Sequence, residues 1–161
     1  MITPHPDDEV LGCGGTIAKF SANGWEVHNC IVTEAYLPDW SEDFIRSRMK
    51  EIEAANKILG VKKTHFLSFP AAKLDTVLHK ELNESISGVV NEVTPDVVFI
   101  PHRGDLHMDH RLVFESSLVA LRPLSCNATK VFSYETLSET EWGWATSPFT
   151  PNIYVDISYN V

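Results

Sequence analysis

The sequence predicts an α/β domain in which a mostly parallel sheet is covered by helices on both faces. Short apolar runs alternate with segments whose apolar residues recur every three or four positions, and turn signals separate them. The apolar runs look continuous rather than alternating, as strands do when both faces of their sheet are buried. Ligands of such sheets bind beyond the carboxyl ends of the strands, so the functional residues are expected at that edge.

Four segments carry the helical pattern. The first covers residues 14–22 and ends near Asn23 and Gly24, and the second covers residues 41–59 and ends at Gly60, a residue that often terminates helices. The other two helices are predicted over residues 78–93 and 110–121.

Strands are predicted in the stretches between the helices, over residues 25–32, 64–69, 95–102, 130–135 and 152–158. Only three residues precede Pro4, too few for a core strand of about five residues. The chain also stops directly after its last strand-like segment. We therefore expect residues 1–161 to form a single, incomplete domain that is truncated at both ends.

Composition excludes several classes of partner. The net charge is −9, and the 13 lysines and arginines form no run, which argues against nucleic acid and anionic membranes. No apolar stretch approaches the ~18 residues of a transmembrane segment. Three widely spaced cysteines do not make a disulfide framework and predict a reducing compartment, so we expect a cytoplasmic protein. Homo-oligomer formation is left open.

Two short patches hold much of the chain's histidine and aspartate. The first is "PHPDDEVLGCGG", residues 4–15, which is acidic and has no lysine or arginine until Lys19. The second is "PHRGDLHMDHR", residues 101–111. The first contains His5, Asp7, Asp8 and Glu9, and the second contains His102, Asp105, His107, Asp109 and His110. Each patch would lie where a strand ends, so in a parallel sheet the two are expected to converge on one ion.

The residue types in these patches suit a catalytic metal. Catalytic zinc commonly takes three histidine or carboxylate ligands and leaves one position open for water. A histidine and an aspartate from the first patch and a histidine from the second meet that number. The other aspartate of the first patch could accept the water's proton, and a spare histidine could stabilise an oxyanion. Asp109 could orient such a histidine.

Other readings explain less of the pattern. The glycines of "GCGG" are expected to let the chain turn tightly into a helix and to let a ligand approach the backbone. A dinucleotide-binding loop would need a third glycine where the chain has Ile17. Helix N-termini favour acidic residues by about 0.3–1 kcal/mol each, which accounts for Glu9 and one aspartate. His102 and Asp105 could support the metal ligands, and Trp142 and Trp144 could stack on a sugar, but a structural role is expected for all four.

The two patches resemble the signature pair of the PIG-L family of metal-dependent sugar N-deacetylases, also called LmbE-like. A third stretch, "RMKEIEAANKILGV" at residues 48–61, resembles the helix pattern of the same family. The resemblance covers most of residues 4–121. Family members usually carry a full apolar strand before the first motif and further helical sequence after the last strand, and this chain has neither in full.

The resemblance implies a Rossmann-like three-layer α/β/α fold and zinc-dependent hydrolysis of the N-acetyl group of an N-acetylglucosamine-type sugar conjugate. The cofactor would be Zn²⁺ or another divalent metal such as Fe²⁺, and the substrate a small amino-sugar conjugate. The roles carried over by position are His5, Asp8 and His110 as metal ligands, Asp7 as general base, His107 as oxyanion stabiliser, Asp109 as its orienting partner, and Arg48 as a substrate contact.

Two alternatives stay open at this point. A metal-dependent phosphoesterase could also use such aspartate and histidine patches, although two-metal phosphate sites need more bridging carboxylates. A truncated relative that binds metal without catalysis is the other. An intact Asp7 argues against the second alternative, because a protein that only binds metal has no use for a general base.

Overall fold

The computed structural model describes residues 1–123, 126, 128, 130–142 and 147–158, and strands and helices alternate along this part of the chain. The strands are β1 (Ile2–Thr3), β2 (His28–Glu34), β3 (Lys63–Pro70), β4 (Val97–Pro101) and β5 (Lys130–Tyr134). The helices are α1 (Asp8–Ala22), α2 (Glu42–Leu59), α3 (His79–Val93) and α4 (Met108–Ala120), with a short 3₁₀ turn at Leu74–Thr76.

All strand pairs are parallel, as predicted. Hydrogen bonds join β1 to β2, β2 to β3, and β4 to β5, and β1 lies against β4 in the middle. The hydrogen bonds define a three-stranded sheet and a two-stranded sheet, which lie side by side through β1 and β4 in the spatial order β3, β2, β1, β4, β5. Strand order therefore reverses between β1 and β4, which is the position where open α/β sheets bind their ligands.

Helices cover both faces of the sheet, which confirms the three-layer architecture. In β4, Val98 and Ile100 face the core that α3 and α4 complete, whereas Phe99 faces the cluster formed by α1. This alternation follows from the two-residue period of a strand. The larger core lies on the face of the sheet that α3 and α4 cover, and its buried residues include Ile2, Cys30, Val32, Leu82, Ile86, Val90, Val98, Ile100 and Val113.

The predicted helix over residues 41–59 is confirmed, with clear signals at both ends. The Ser41 hydroxyl accepts a hydrogen bond from the Phe44 N–H at 3.2 Å, so Ser41 caps α2 and the helix proper begins at Glu42. Gly60 ends the helix with φ 71°, a conformation that glycine adopts without strain. These ends fix the direction of α2, which carries Arg48.

The predicted start of the first helix, and with it the tight turn assigned to the glycines, is wrong. The helix begins at Asp8, six residues before the predicted start at residue 14, so Gly12 also lies inside α1, whereas Gly14 and Gly15 lie in a helix as predicted. At Gly12 a Cβ atom would overlap the Tyr134 ring and lie 2.8 Å from a main-chain oxygen, and at Gly15 it would meet Ile157. Close packing therefore requires a glycine at position 12, whereas a side chain at position 15 would displace the side chain of Ile157.

Two further differences concern the chain ends. The two-residue β1 does form a strand, because Ile2 and Thr3 pair in register with the buried β2. The prediction of a strand over residues 152–158 is wrong, since residues 151–157 have no regular structure, and Ile157 lies against α1 at Gly15. There Lys19 Nζ donates a hydrogen bond to the Asp156 carbonyl at 2.6 Å.

The three cysteines, all within the described part of the chain, are unpaired, as predicted. None of the helices in that part is long and apolar enough to cross a membrane. Trp142 is 63% exposed, whereas Trp144 lies outside the described residues.

Candidate metal centre

The two acidic and histidine-rich patches meet, as predicted, at the carboxyl edge of the sheet. The first follows β1 and continues into α1, and the second follows β4 and continues into α4. His5, Asp8 and His110 each offer a ligand atom, and these atoms lie within 4.8 Å of one another. The fold thus brings together residues about a hundred positions apart at the point where strand order reverses.

Ligand atoms in this group have the spacing of a tetrahedral site. His5 Nδ1 lies 3.5 Å from Asp8 Oδ2 and 3.3 Å from His110 Nε2, and the last two atoms are 3.4 Å apart. Zinc bonds to nitrogen and oxygen of about 2.0–2.2 Å place tetrahedral ligands roughly 3.3–3.6 Å apart. The donor set therefore fits a small divalent ion.

A carboxylate holds the second nitrogen of each histidine in this group. His110 Nδ1 lies 2.9 Å from Asp105 Oδ2, with both side chains fully buried. His5 Nε2 lies 3.1 Å from Asp109 Oδ2. A carboxylate accepts only from a protonated nitrogen, so the lone pairs of His5 Nδ1 and His110 Nε2 remain for the ion. The contact with His110 favours the supporting role for Asp105 over the purely structural one that was expected.

Asp109 is linked to three parts of the site. Its carboxylate accepts hydrogen bonds from the N–H groups of Ala72 at 2.7 Å and Leu74 at 3.2 Å, besides its contact with His5. Burial alone would raise the pKa of Asp109, but His5 and the two N–H groups lower it. Its own N–H donates to His107 Nδ1 at 3.1 Å. The Asp109 carboxylate thus contacts His5 and not His107. Asp109 contacts His107 through its main-chain N–H, and the predicted role of Asp109 in orienting His107 stays a prediction.

A second group of potential ligands, His5, His107 and Asp109, overlaps the first. His107 Nδ1 already accepts the Asp109 N–H, so in the neutral ring the proton is on Nε2. Burial, followed by the charge of His5, lowers the pKa of His107 and favours this neutral form. With this tautomer Nε2–H is available as a hydrogen-bond donor, as the predicted oxyanion role of His107 requires.

The electrostatics of His5 reflect its two acidic neighbours. Burial opposes its protonation, but hydrogen bonds to Asp109 and Asp8 outweigh burial and raise the pKa of His5 to about 9. The pocket thus favours positive charge at the place where the ligand atoms converge. A bound cation would supply that charge in place of the proton.

Asp7 is next to the ligand group and has an unusual backbone. Its φ is 127° and its ψ is −27°, a region that residues with side chains seldom adopt. Its carboxylate is half-exposed and lies 3.9 Å from Arg48 Nη1. Burial, together with the charge of Asp8, raises the pKa of Asp7, and Arg48 partly opposes this effect. Such strained residues cluster at active sites.

Arg48 reaches this region from α2. Its Nη1 also lies 3.5 Å from Glu51, and its guanidinium group lies over the Phe44 ring at 5.2 Å from the ring centre. Its place beside Asp7 agrees with the predicted contact with substrate, which stays a prediction. His102, expected to be structural, lies with Nε2 2.9 Å from the Ser147 carbonyl oxygen.

Glu9, whose acidic character was expected to reflect only its place at a helix N-terminus, contacts the site through Asp7. Glu9 is 1% exposed, and its carboxylate accepts a hydrogen bond from the Asp7 N–H at 3.1 Å. Burial raises the pKa of Glu9, and N–H groups of Asp7 and of Glu9 itself partly oppose this. Complete burial of an acid is unusual and could not be read from a run of acidic residues.

Comparison with known proteins places these residues in context. Residues 1–121 match the family model described as PIG-L: GlcNAc-PI de-N-acetylase. The chain is 32% identical to the protein named Uncharacterized deacetylase YaiS from Escherichia coli (strain K12), over 97% of this chain and 80% of that protein. It is also 32% identical to a diacetylchitobiose deacetylase from Thermococcus kodakarensis, over 68% of this chain but 43% of the relative.

Solved structures agree with the sequence comparison. The conserved protein TT1542 from Thermus thermophilus superposes with a TM-score of 0.77 at 29% identity, covering 99% of this chain and 71% of that one. The N,N'-diacetylchitobiose deacetylase from Pyrococcus horikoshii gives 0.73 at 28% identity, covering 98% and 62%. Both motif patches lie within the matched residues 1–121. The chain therefore belongs to the PIG-L family of de-N-acetylases.

Proposed function

We propose that this chain is a zinc-dependent N-deacetylase that hydrolyses the N-acetyl group of an N-acetylglucosamine-type sugar conjugate to a free amine and acetate. The observation that carries the proposal is the spacing of His5 Nδ1, Asp8 Oδ2 and His110 Nε2, at 3.3 to 3.5 Å from one another, beside a strained aspartate. Relatives named as deacetylases of diacetylchitobiose support the class of substrate.

Two imidazoles and one carboxylate suit Zn²⁺, and they also accept Fe²⁺. When bound, such an ion would supply Lewis acidity, which activates water and polarises the amide carbonyl. Elemental analysis of the protein purified without chelators identifies the native metal.

The chain's own residues supply the proton transfers. Asp7 accepts a proton from the attacking water as the new C–O bond forms, and it returns a proton to the amine nitrogen as the C–N bond breaks. His107 presents Nε2–H to the carbonyl oxygen while that oxygen gains negative charge. Arg48, 3.9 Å from Asp7, contacts the substrate.

The substitution Asp7→Asn tests this division of roles. We expect the variant to keep its metal, because Asp7 is not one of the three ligands. Acetate release from N-acetylglucosamine conjugates should fall about 100-fold or more, a common contribution of a general base. Metal content by elemental analysis and acetate by enzymatic assay are the two measurements. Loss of metal from this variant would contradict the roles assigned to Asp7 and Asp8.

The control variant is His110→Ala, which removes a ligand and should lose both metal and activity. The same protein samples distinguish the alternatives. Hydrolysis of p-nitrophenyl phosphate without acetate release would favour a phosphoesterase, whose two-metal sites use more bridging carboxylates. A metal-loaded chain that turns over neither class would favour a binding protein.

The cellular setting remains predicted. Three unpaired cysteines support a cytoplasmic location, and a net charge of −9 supports the absence of nucleic-acid binding.

A further inference from the structure

The backbone of Asp7 is held at both of its peptide groups. Its carbonyl oxygen accepts hydrogen bonds from the N–H groups of Val10 at 3.0 Å and Leu11 at 2.9 Å, in the first turn of α1. Its N–H donates to Glu9 Oε2 at 3.1 Å. Among the described residues, the Asp7 side chain makes no capping hydrogen bond to the helix, so its carboxylate is left for other partners.

This arrangement keeps a residue with φ 127° in a conformation that it would not adopt by itself. A strained backbone persists only where surrounding contacts over-determine it. The helix fixes one side of Asp7 through its carbonyl group. On the other side, the acceptor for its N–H is the carboxylate of Glu9, which is 1% exposed and therefore not replaceable by bulk water.

We infer that Glu9 is a positioning residue, whose buried carboxylate holds the Asp7 main chain and thereby aims the Asp7 carboxylate at the attacking water. The inference rests on the proposed role of Asp7 as general base. Glu9 acts through Asp7 and not on the substrate. What matters at position 9 is an acceptor atom at the right distance, and the negative charge is secondary.

Two variants with side chains of similar size separate the effect of the hydrogen-bond acceptor at position 9 from the effect of side-chain volume. Glu9→Gln keeps a carbonyl oxygen that can accept the Asp7 N–H, and we expect its kcat to stay within about threefold of the wild type. Glu9→Met fills the same space without a strong acceptor. Its kcat should fall about 10- to 100-fold, because small misplacements of catalytic groups have effects of this size. KM and metal content should be unchanged in both.

A double-mutant cycle shows whether Glu9 acts through Asp7. In the Asp7→Asn background the base is already absent, so Glu9→Met should lower kcat no further. Thermal unfolding and metal content, measured on every variant, show that the compared proteins are folded and loaded. A merely structural role for Glu9 would lower kcat by the same factor in both backgrounds.

The outcomes separate this inference from the proposed function. Equal losses in the two backgrounds, or equal kcat values for Glu9→Gln and Glu9→Met, overturn the inference and leave Asp7 as general base. A wild-type rate in Asp7→Asn alone overturns the general-base assignment, and the inference with it. A loss confined to Glu9→Met in the wild-type background supports both.

Discussion

At the scale of single residues, Asp105 shows how much of the site lies behind the ligands. Its Oδ2 holds His110 Nδ1 at 2.9 Å inside the core. Asp105→Asn can present an amide N–H to that nitrogen and favour the wrong tautomer of His110. We expect zinc affinity, measured by competition with a chelating dye, to fall about 10- to 100-fold. Asp75→Asn is the matched control, because Asp75 is exposed and the charge change is the same.

An unchanged affinity in Asp105→Asn would contradict this account. The convergence of the candidate ligands could be predicted from sequence, because two patches rich in histidine and aspartate follow strands of one parallel sheet, and the family resemblance singles out His5, Asp8 and His110 among them. The contacts of Asp105 and Glu9 could not be predicted, since nothing in a turn or helix start reveals that a carboxylate is fully buried. The partner of the Asp109 carboxylate likewise depends on the N–H groups of a loop that follows another strand.

At the scale of elements, the packing of α1 is open to direct test. Gly12→Ala would place a methyl group into the Tyr134 ring, whereas at Gly14 the nearest atom is 3.7 Å from the new Cβ. We expect Gly12→Ala to lower the free energy of unfolding by about 1–3 kcal/mol, as overpacking does. Gly14→Ala should raise it by up to about 1 kcal/mol, because alanine favours helix over glycine. Chemical denaturation measures both.

Equal effects of the two substitutions would contradict the packing argument.

Helix α2 was predicted almost to the residue, because its apolar period and both of its caps are local signals. The start of α1 was missed, since three glycines disfavour a helix locally, and the tertiary contacts of Gly12 with β5 and of Gly15 with the chain's last described segment cannot be read from the sequence. Residues 152–158 resemble a strand in sequence, but Ile157 packs against helix α1, and sequence alone does not identify that neighbour.

At the scale of the molecule, a bound ion would join the turn after β1 to the first turn of α4. Because the ion binds only the folded chain, zinc at about 100 times its dissociation constant should add about 2.7 kcal/mol of stability. For a domain of this size, Tm should rise by roughly 5–10 °C over the chelator-treated protein. Calorimetry measures the shift, and His110→Ala should show almost none. A similar shift in that variant would place the metal elsewhere.

The parallel sheet, its covered faces and the meeting of the two patches were all predictable at this scale, because they follow from the alternation of strands and helices. The hydrogen bonds that support the site were not predictable, because they join residues that follow β1, β3 and β4 and are distant from one another in sequence.

Main-chain N–H groups of the loop after β3 bind the Asp109 carboxylate, and the side chain between them makes a different contact. The two donors belong to positions 72 and 74, and between them Lys73 points its amine toward Asp39, away from the hydrogen bonds to the carboxylate. Peptide groups are common to nearly every residue type, so position 73 can change its chemistry while His5 keeps its anchor. The side chain at this position of the loop can thus vary without loss of the two hydrogen bonds that hold Asp109.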